Sequence, residues 1–233
     1  MQVNTGMVYN SIVCFFTSIV SLISFYSIRK KRKEQKLSFP KSIDYFLFLF
    51  GIMWFSVGLR TFMAWLGYLS IDMIIFRWFS GTLTYLHMIP LFHYLGWSFF
   101  KDKKLVNKLF TGLTSVAIIL ATIALIVGGA SQGEVTYWGT DPTANETAKK
   151  IFTFGTLLPL ALSVVIEFIR RTKNWVKTRN ENDKQFFGFG LAFLFYFLIG
   201  VFDALGGAQG WKLLMSRGGE TLVPLIIYLS IND

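Results

Sequence analysis

Seven long apolar blocks constrain this chain more than any other feature. They run over about 8–28, 43–66, 73–100, 109–129, 151–169, 186–205 and 213–231. A bilayer hydrocarbon core about 30 Å thick asks for about 20 apolar residues per helix. No water reaches the backbone there, so each helix must satisfy its own amide groups. A membrane β-barrel would instead show short alternating segments of about 10 residues, and none occur. Composition agrees: 53% of the 233 residues are hydrophobic and 15% are charged, against about 25% charged in an ordinary soluble domain. The expected fold is all-α, a polytopic transmembrane bundle of seven helices forming one domain over 1–233.

The first block, Val8 to Ile28, ends at Arg29-Lys30-Lys31-Arg32-Lys33. It is too long for a secretory signal and lacks a small-residue cleavage site. The seventh block is the least regular. Either it starts near Leu213 and encloses Arg217-Gly218-Gly219-Glu220, or it is re-entrant. Pro90, Pro159 and Pro224 fall inside blocks; each removes a helix hydrogen bond and favours a bend. Gly51, Gly58, Gly188 and Gly190 are expected to permit close helix packing.

Charge sets the orientation. Seventeen Lys and Arg lie in the loops at 29–41, 101–108 and 170–184, against four on the opposite side, Lys149, Lys150, Lys212 and Arg217. Basic residues collect in cytoplasmic loops, so the N-terminus is expected outside, the C-terminus in the cytoplasm, and the chain in the plasma (inner) membrane. The net charge of +10 then reads as topology and attraction to the lipid bilayer, not as a nucleic-acid footprint. Trp65, Tyr68, Trp97, Trp138, Trp175 and Trp211 fall near the expected interfaces, where amphipathic rings settle. Asn145-Glu146-Thr147 is a glycosylation triplet in the longest outer loop, and such triplets are common by chance.

Ionisable groups within spans are the functional suspects. Arg60 and Arg77 each lie about one turn inside the outer surface, and Asp203 reaches the same depth near the end of its span. The expectation is that Asp203 pairs with one arginine, leaving the other to receive a small anionic ligand such as a carboxylate. The structural alternative is that both arginines snorkel outward and Asp203 closes an ion pair. His87 sits near mid-membrane as a candidate ligand-binding or proton-carrying group, with a neutral, hydrogen-bonded core histidine as the alternative. His93 follows six residues later, turned away on an ideal helix, so the two cannot grip one haem from opposite faces. Glu167 precedes Arg170 and Arg171 by three and four residues, the spacing of a salt bridge on one helix face.

Cys14, the single cysteine, permits no disulfide within the chain and no multi-cysteine metal site. No G-x-S-x-G, H-E-x-x-H or phosphate-binding glycine loop occurs. The last block has no mid-span lysine for a retinal Schiff base. The chain is read as a non-enzyme with no catalytic residues, no metal and no cofactor.

The stretch Arg77-Trp78-Phe79-Ser80-Gly81-Thr82-Leu83-Thr84-Tyr85-Leu86-His87-Met88-Ile89-Pro90-Leu91-Phe92-His93-Tyr94 resembles the third helix of the seven-helix N-terminal sensor regions of bacterial sensor histidine kinases. Gly218-Gly219-Glu220-Thr221-Leu222-Val223-Pro224-Leu225-Ile226-Ile227-Tyr228-Leu229 is similar to their closing helix. The resemblance covers about a fifth of the chain and implies a membrane sensor that signals to a cytoplasmic partner. No kinase, HAMP or PAS segment follows, so either the chain is trimmed at Asp233 or the effector is a separate protein. The rival expectations are a small-solute transporter or channel, then a non-catalytic subunit of a membrane complex, and last a membrane-embedded enzyme.

Overall fold

The first helix, α1 (Thr5–Glu34), shows how the sequence decides the packing. Asn10, Ser11, Cys14, Thr17, Ser18, Ser21 and Ser24 recur every three or four residues and are all buried. Tyr9, Ile12, Phe16, Ile19, Ile23 and Tyr26 form the opposite face, each more than half exposed. A helix in water does the reverse. Small and hydroxylated side chains inside with large apolar ones outside is the arrangement of a helix whose solvent is hydrocarbon. Leu113 and Val127 on one helix and Phe154 and Leu162 on another are likewise 61–77% exposed.

In the computed structural model, residues 5–34, 37, 39–204 and 211–232 are described, with Asp203, Ala204 and Asn232 described by backbone alone. After α1 come α2 (Ser42–Trp65), α3 (Leu69–Ile75), a π-helical turn (Phe76–Ser80), α4 (Gly81–Leu86), α5 (Met88–Phe100) and α6 (Lys104–Gly128). A small hairpin follows, β1 (Ala130–Ser131) paired antiparallel with β2 (Thr143–Ala144). Then come α7 (Glu146–Phe152), a second π-helical turn (Thr153–Leu157), α8 (Leu158–Thr178), α9 (Glu181–Ala204), α10 (Trp211–Glu220) and α11 (Leu222–Asn232). Five stretches are long and apolar enough to cross a membrane: Thr5–Glu34, Ser42–Trp65, Lys104–Gly128, Glu146–Thr178 and Glu181–Phe202. The runs 69–100 and 211–232 are helical but interrupted. Successive runs pack on one another, and α10 and α11 close back onto α1 to complete a ring.

Each interruption near a proline has the same cause. The proline ring clashes with the carbonyl four residues back, where the missing amide would have bonded. For Pro90 that residue is Leu86, and α4 ends there. For Pro159 it is Gly155, inside the second π-helical turn. For Pro224 it is Glu220, where α10 ends. The seventh block is thus two helices meeting at Thr221, and Arg217-Gly218-Gly219 lie within the first of them.

The glycines act as expected. Ser11 Oγ donates to the Gly58 carbonyl at 2.8 Å and Ser21 Oγ to the Leu47 carbonyl at 2.7 Å, which fixes α1 and α2 antiparallel and close. A Cβ at Gly51 would stand 2.9 Å from Leu22 Cγ, and one at Gly58 2.9 Å from Phe15 Cδ1. At Gly188 it would meet Ser230 Oγ at 1.8 Å, and at Gly190 the Phe168 Cα at 3.3 Å. Gly58→Leu should therefore lower thermal stability by about 1–3 kcal/mol through overpacking. Gly112→Leu, with nothing within 4 Å of its Cβ, should not. Equal melting temperatures for the two variants in detergent would refute this account of the α1–α2 contact.

Candidate functional site

The end of the bundle that carries the 129–145 loop holds the first polar cluster. Arg60 on α2 donates from Nη1 to Asp72 Oδ1 at 2.9 Å and to Thr140 Oγ1 at 2.9 Å, and from Nη2 to the Thr140 carbonyl at 3.3 Å. Thr140 Oγ1 in turn donates to Asp72 Oδ2 at 2.6 Å. The Arg60 guanidinium lies 5.5 Å from the Phe76 ring centre. All three polar residues are buried. Asp72 is placed by α3, which begins at Leu69, four residues before the expected start of this span at Met73. The carboxylate facing Arg60 is therefore Asp72. Asp203, the expected partner, lies near the end of α9, and its side chain is outside the described residues.

Arg77 does not join this cluster. Its Nε donates to the Ile126 carbonyl at 2.9 Å, its Nη2 bonds the same carbonyl, and Nη2 reaches the Val127 carbonyl at 3.5 Å. These are orphan carbonyls in the last turn of α6, where the helix dipole favours a cation. Arg77 is a helix cap from the neighbouring run and, among the described residues, shares no hydrogen-bond partner with Arg60.

A third guanidinium was not among the expected site residues. Arg217, buried on α10, donates to Asn10 Oδ1 at 2.9 Å and reaches Cys14 Sγ at 3.6 Å. Asn10 Nδ2 donates to the Trp138 carbonyl at 2.6 Å, so the loop is also tied to α1. Thr17 Oγ1 and Thr221 Oγ1 lie 2.6 Å apart one turn deeper. The polar stripe that Asn10 begins on α1 is the signal that could have found it. Its partnership with Arg217, 207 residues away, carries no such signal.

The loop itself is stiffened by local bonds. Thr136 and Gly139 close a turn through backbone and hydroxyl bonds of 2.8 and 2.9 Å. Asn145 caps α7, its Oδ1 accepting from the Ala148 amide at 3.0 Å. Its Nδ2 donates to the Ala124 and Gly129 carbonyls at 2.7 and 3.0 Å. Both amide hydrogens are thus engaged, and the triplet at 145–147 serves as a helix cap here.

His87 occupies the centre, at the break between α4 and α5. Its Nδ1 is 2.8 Å from the Leu83 carbonyl and its Nε2 2.7 Å from Tyr196 Oη on α9. Phe46 and Phe50 of α2 lie 5.9 and 5.8 Å from its ring. With both nitrogens bonded, His87 behaves as a satisfied core histidine that ties α4 to α9. His93 faces outward.

The opposite end of the bundle carries the second ionic cluster. Glu167, fully buried, accepts from Arg171 Nε at 2.8 Å, Arg170 Nη2 at 2.6 Å, Ser98 Oγ at 2.5 Å and Tyr94 Oη at 3.2 Å. The expected bridge along α8 is present, and it also fastens α8 to α5. Arg32 on α1 forks onto both oxygens of Asp44 at 2.9 and 2.7 Å, and Lys31 reaches the Ile231 carbonyl of α11.

Among the described residues, no group of three or more His, Cys, Asp or Glu is placed to hold a metal ion. Comparison with protein-family models, with curated proteins and with solved structures finds no match to this chain.

Proposed function

We propose that the chain is a seven-span membrane receptor or sensor module that takes a small anion at its loop end and signals to a cytoplasmic partner. The N-terminus and the 129–145 loop lie outside in this reading, because 17 basic loop residues gather at the opposite end against four at this one. The observation that carries the proposal is the set of acceptors around Arg60. Beside Asp72, its hydrogen-bond acceptors among the described residues are a neutral hydroxyl and a neutral carbonyl, both from Thr140 of the loop. Charge-assisted hydrogen bonds are roughly twice as strong as neutral ones, so an incoming carboxylate or phosphate outcompetes Thr140 at the same nitrogens. Three guanidinium groups, Arg60, Arg77 and Arg217, stand at this end. Among the described residues Asp72 is the buried carboxylate beside them, with Glu220 a turn deeper than Arg217. Losing Thr140 frees the loop from α2, and the ring relaxes at the breaks near Pro90, Pro159 and Pro224. A ligand shifts the equilibrium only through such a difference in affinity between the two arrangements.

The test is hydrogen exchange and thermal stability of the purified chain across a panel of small carboxylates and phosphates. One class should raise the melting temperature and speed exchange of the amides at 136–145, and Thr140→Val should strengthen its binding by removing the hydroxyl that competes for Arg60 Nη1. If no anion at saturating concentration changes either readout, the proposal fails.

A transporter or channel is the second reading. The depth of the buried polar groups favours it: Arg217, Glu220, Tyr196 and His87 continue inward from the loop end. Anion flux into reconstituted vesicles separates the two, since a receptor binds without leaking.

A further inference from the structure

A cleft of about 290 Å³ opens at the basic end between the last turns of α1 and the first turn of α2. Phe25, Arg29, Arg32, Lys33, Lys41, Asp44 and Tyr45 line it. Four cations therefore face one carboxylate. That carboxylate is already spent, because Asp44 takes both Nε and Nη2 of Arg32, while Arg32 Nη1 and Nη2 reach the Phe39 and Pro40 carbonyls at 2.8 and 3.3 Å. Arg32 is thereby fixed in place, stacked 4.7 Å from the Phe39 ring. Arg29 and Lys33 are one turn apart on the same helix face, a spacing at which like charges repel. Neither has an ion-pair partner among the described residues.

We infer that this cleft binds a phosphate anion, presented by the headgroup of an anionic phospholipid. The electrostatics ask for an anion, since Arg29, Lys33 and Lys41 have no ion-pair partner among the described residues. The walls say where it comes from. Phe25 packs on Phe48 at 5.2 Å between ring centres, and Tyr26, Tyr45 and Phe48 are 68%, 58% and 38% exposed on the bundle's outer surface. An apolar strip thus runs from the cleft along α1 and α2 into the band that faces hydrocarbon, on the path of an acyl chain. A soluble phosphate would use the cations and leave that strip without a role. Basic residues at a membrane surface draw anionic lipid generally; here a fixed Arg32 and a bounded cleft turn that attraction into a site.

Native mass spectrometry of the full chain in a non-ionic detergent tests this with phosphatidylglycerol, phosphatidylcholine and inorganic phosphate as probes. Wild-type protein should retain phosphatidylglycerol in preference to phosphatidylcholine. The exposed pair Arg29→Gln/Lys33→Gln should bind it roughly 30-fold more weakly, the effect of two interfacial charges, with an unchanged melting temperature. Lys101→Gln/Lys103→Gln, at the same end on another loop, should bind as wild type. Equal loss in the two double variants would overturn the site in favour of diffuse attraction. Inorganic phosphate that displaces the lipid at equal concentration would overturn the lipid as its source. No preference between the two lipids would overturn both.

Discussion

Asp72→Ala should destabilise the protein by about 3–5 kcal/mol, because it strands a buried arginine charge whose one carboxylate partner among the described residues is Asp72. Arg60 is 7% exposed at its side chain and Asp72 is fully buried, so water cannot replace the lost partner. The damage should spread to the loop. Thr140 Oγ1 donates to Asp72 and accepts from Arg60, and without the carboxylate one of those bonds goes and the other weakens. Backbone exchange at 136–145 should therefore quicken along with the fall in melting temperature. Removing both charges is the sharper experiment. A buried pair often gains little over an apolar substitute of similar volume, so Arg60→Met/Asp72→Leu should be more stable than Asp72→Ala alone. A double variant no better than the single one would show that the two side chains are not energetically coupled.

The second large effect is expected at Glu167. Its carboxylate accepts from four side chains on two helices, and Glu167→Ala leaves Arg171 and Arg170 facing each other with Ser98 between them. The expected loss is again about 3–5 kcal/mol. Glu167→Gln keeps an acceptor for Ser98 and Tyr94 and should fall between wild type and the alanine variant. The two arginines should not respond alike. Arg170 is 35% exposed and Arg171 is 11% exposed, so solvent screens the first pair to well under about 1 kcal/mol and leaves the second as the stronger anchor. Arg171→Ala should cost more than Arg170→Ala in a denaturation series; the reverse order would mean that burial is not what weights these bonds.

The two clusters differ in how far a reader of the sequence could have reached them. Glu167 with Arg170 and Arg171 is a contact within one helix, and the periodicity of 3.6 residues alone brings the groups together. Ser98 and Tyr94, which complete it, come from another helix and carried no local signal. At the loop end the sequence pointed to Arg60 and Arg77 as costly groups near one surface, and both are there. Their partners could not be read in advance, because depth along a helix says nothing about direction around it. Arg77 turns toward the last carbonyls of α6, while Arg60 turns toward Asp72, a residue assigned to the connecting loop because α3 begins earlier than its apolar run. Arg217 lay in a stretch that looked like a break; the helix runs through it and stops at Glu220, for the steric reason Pro224 supplies.

What the sequence determined by itself is what depends on local chemistry: helix over strand, the polar and apolar faces of α1, the tight approaches at Gly51, Gly58, Gly188 and Gly190, and the interruptions ahead of three prolines. Backbone hydrogen bonding without water and the 3.6-residue repeat act within one segment, and so they are written in one segment. What only the tertiary structure decided is which buried charge meets which. Arg60 with Asp72 and Thr140, Arg217 with Asn10, and His87 with Tyr196 are separated by 12 to 207 residues. Each pairing is set by the rotation of whole helices about their axes, which follows from the packing of the ring and not from any single stretch of sequence.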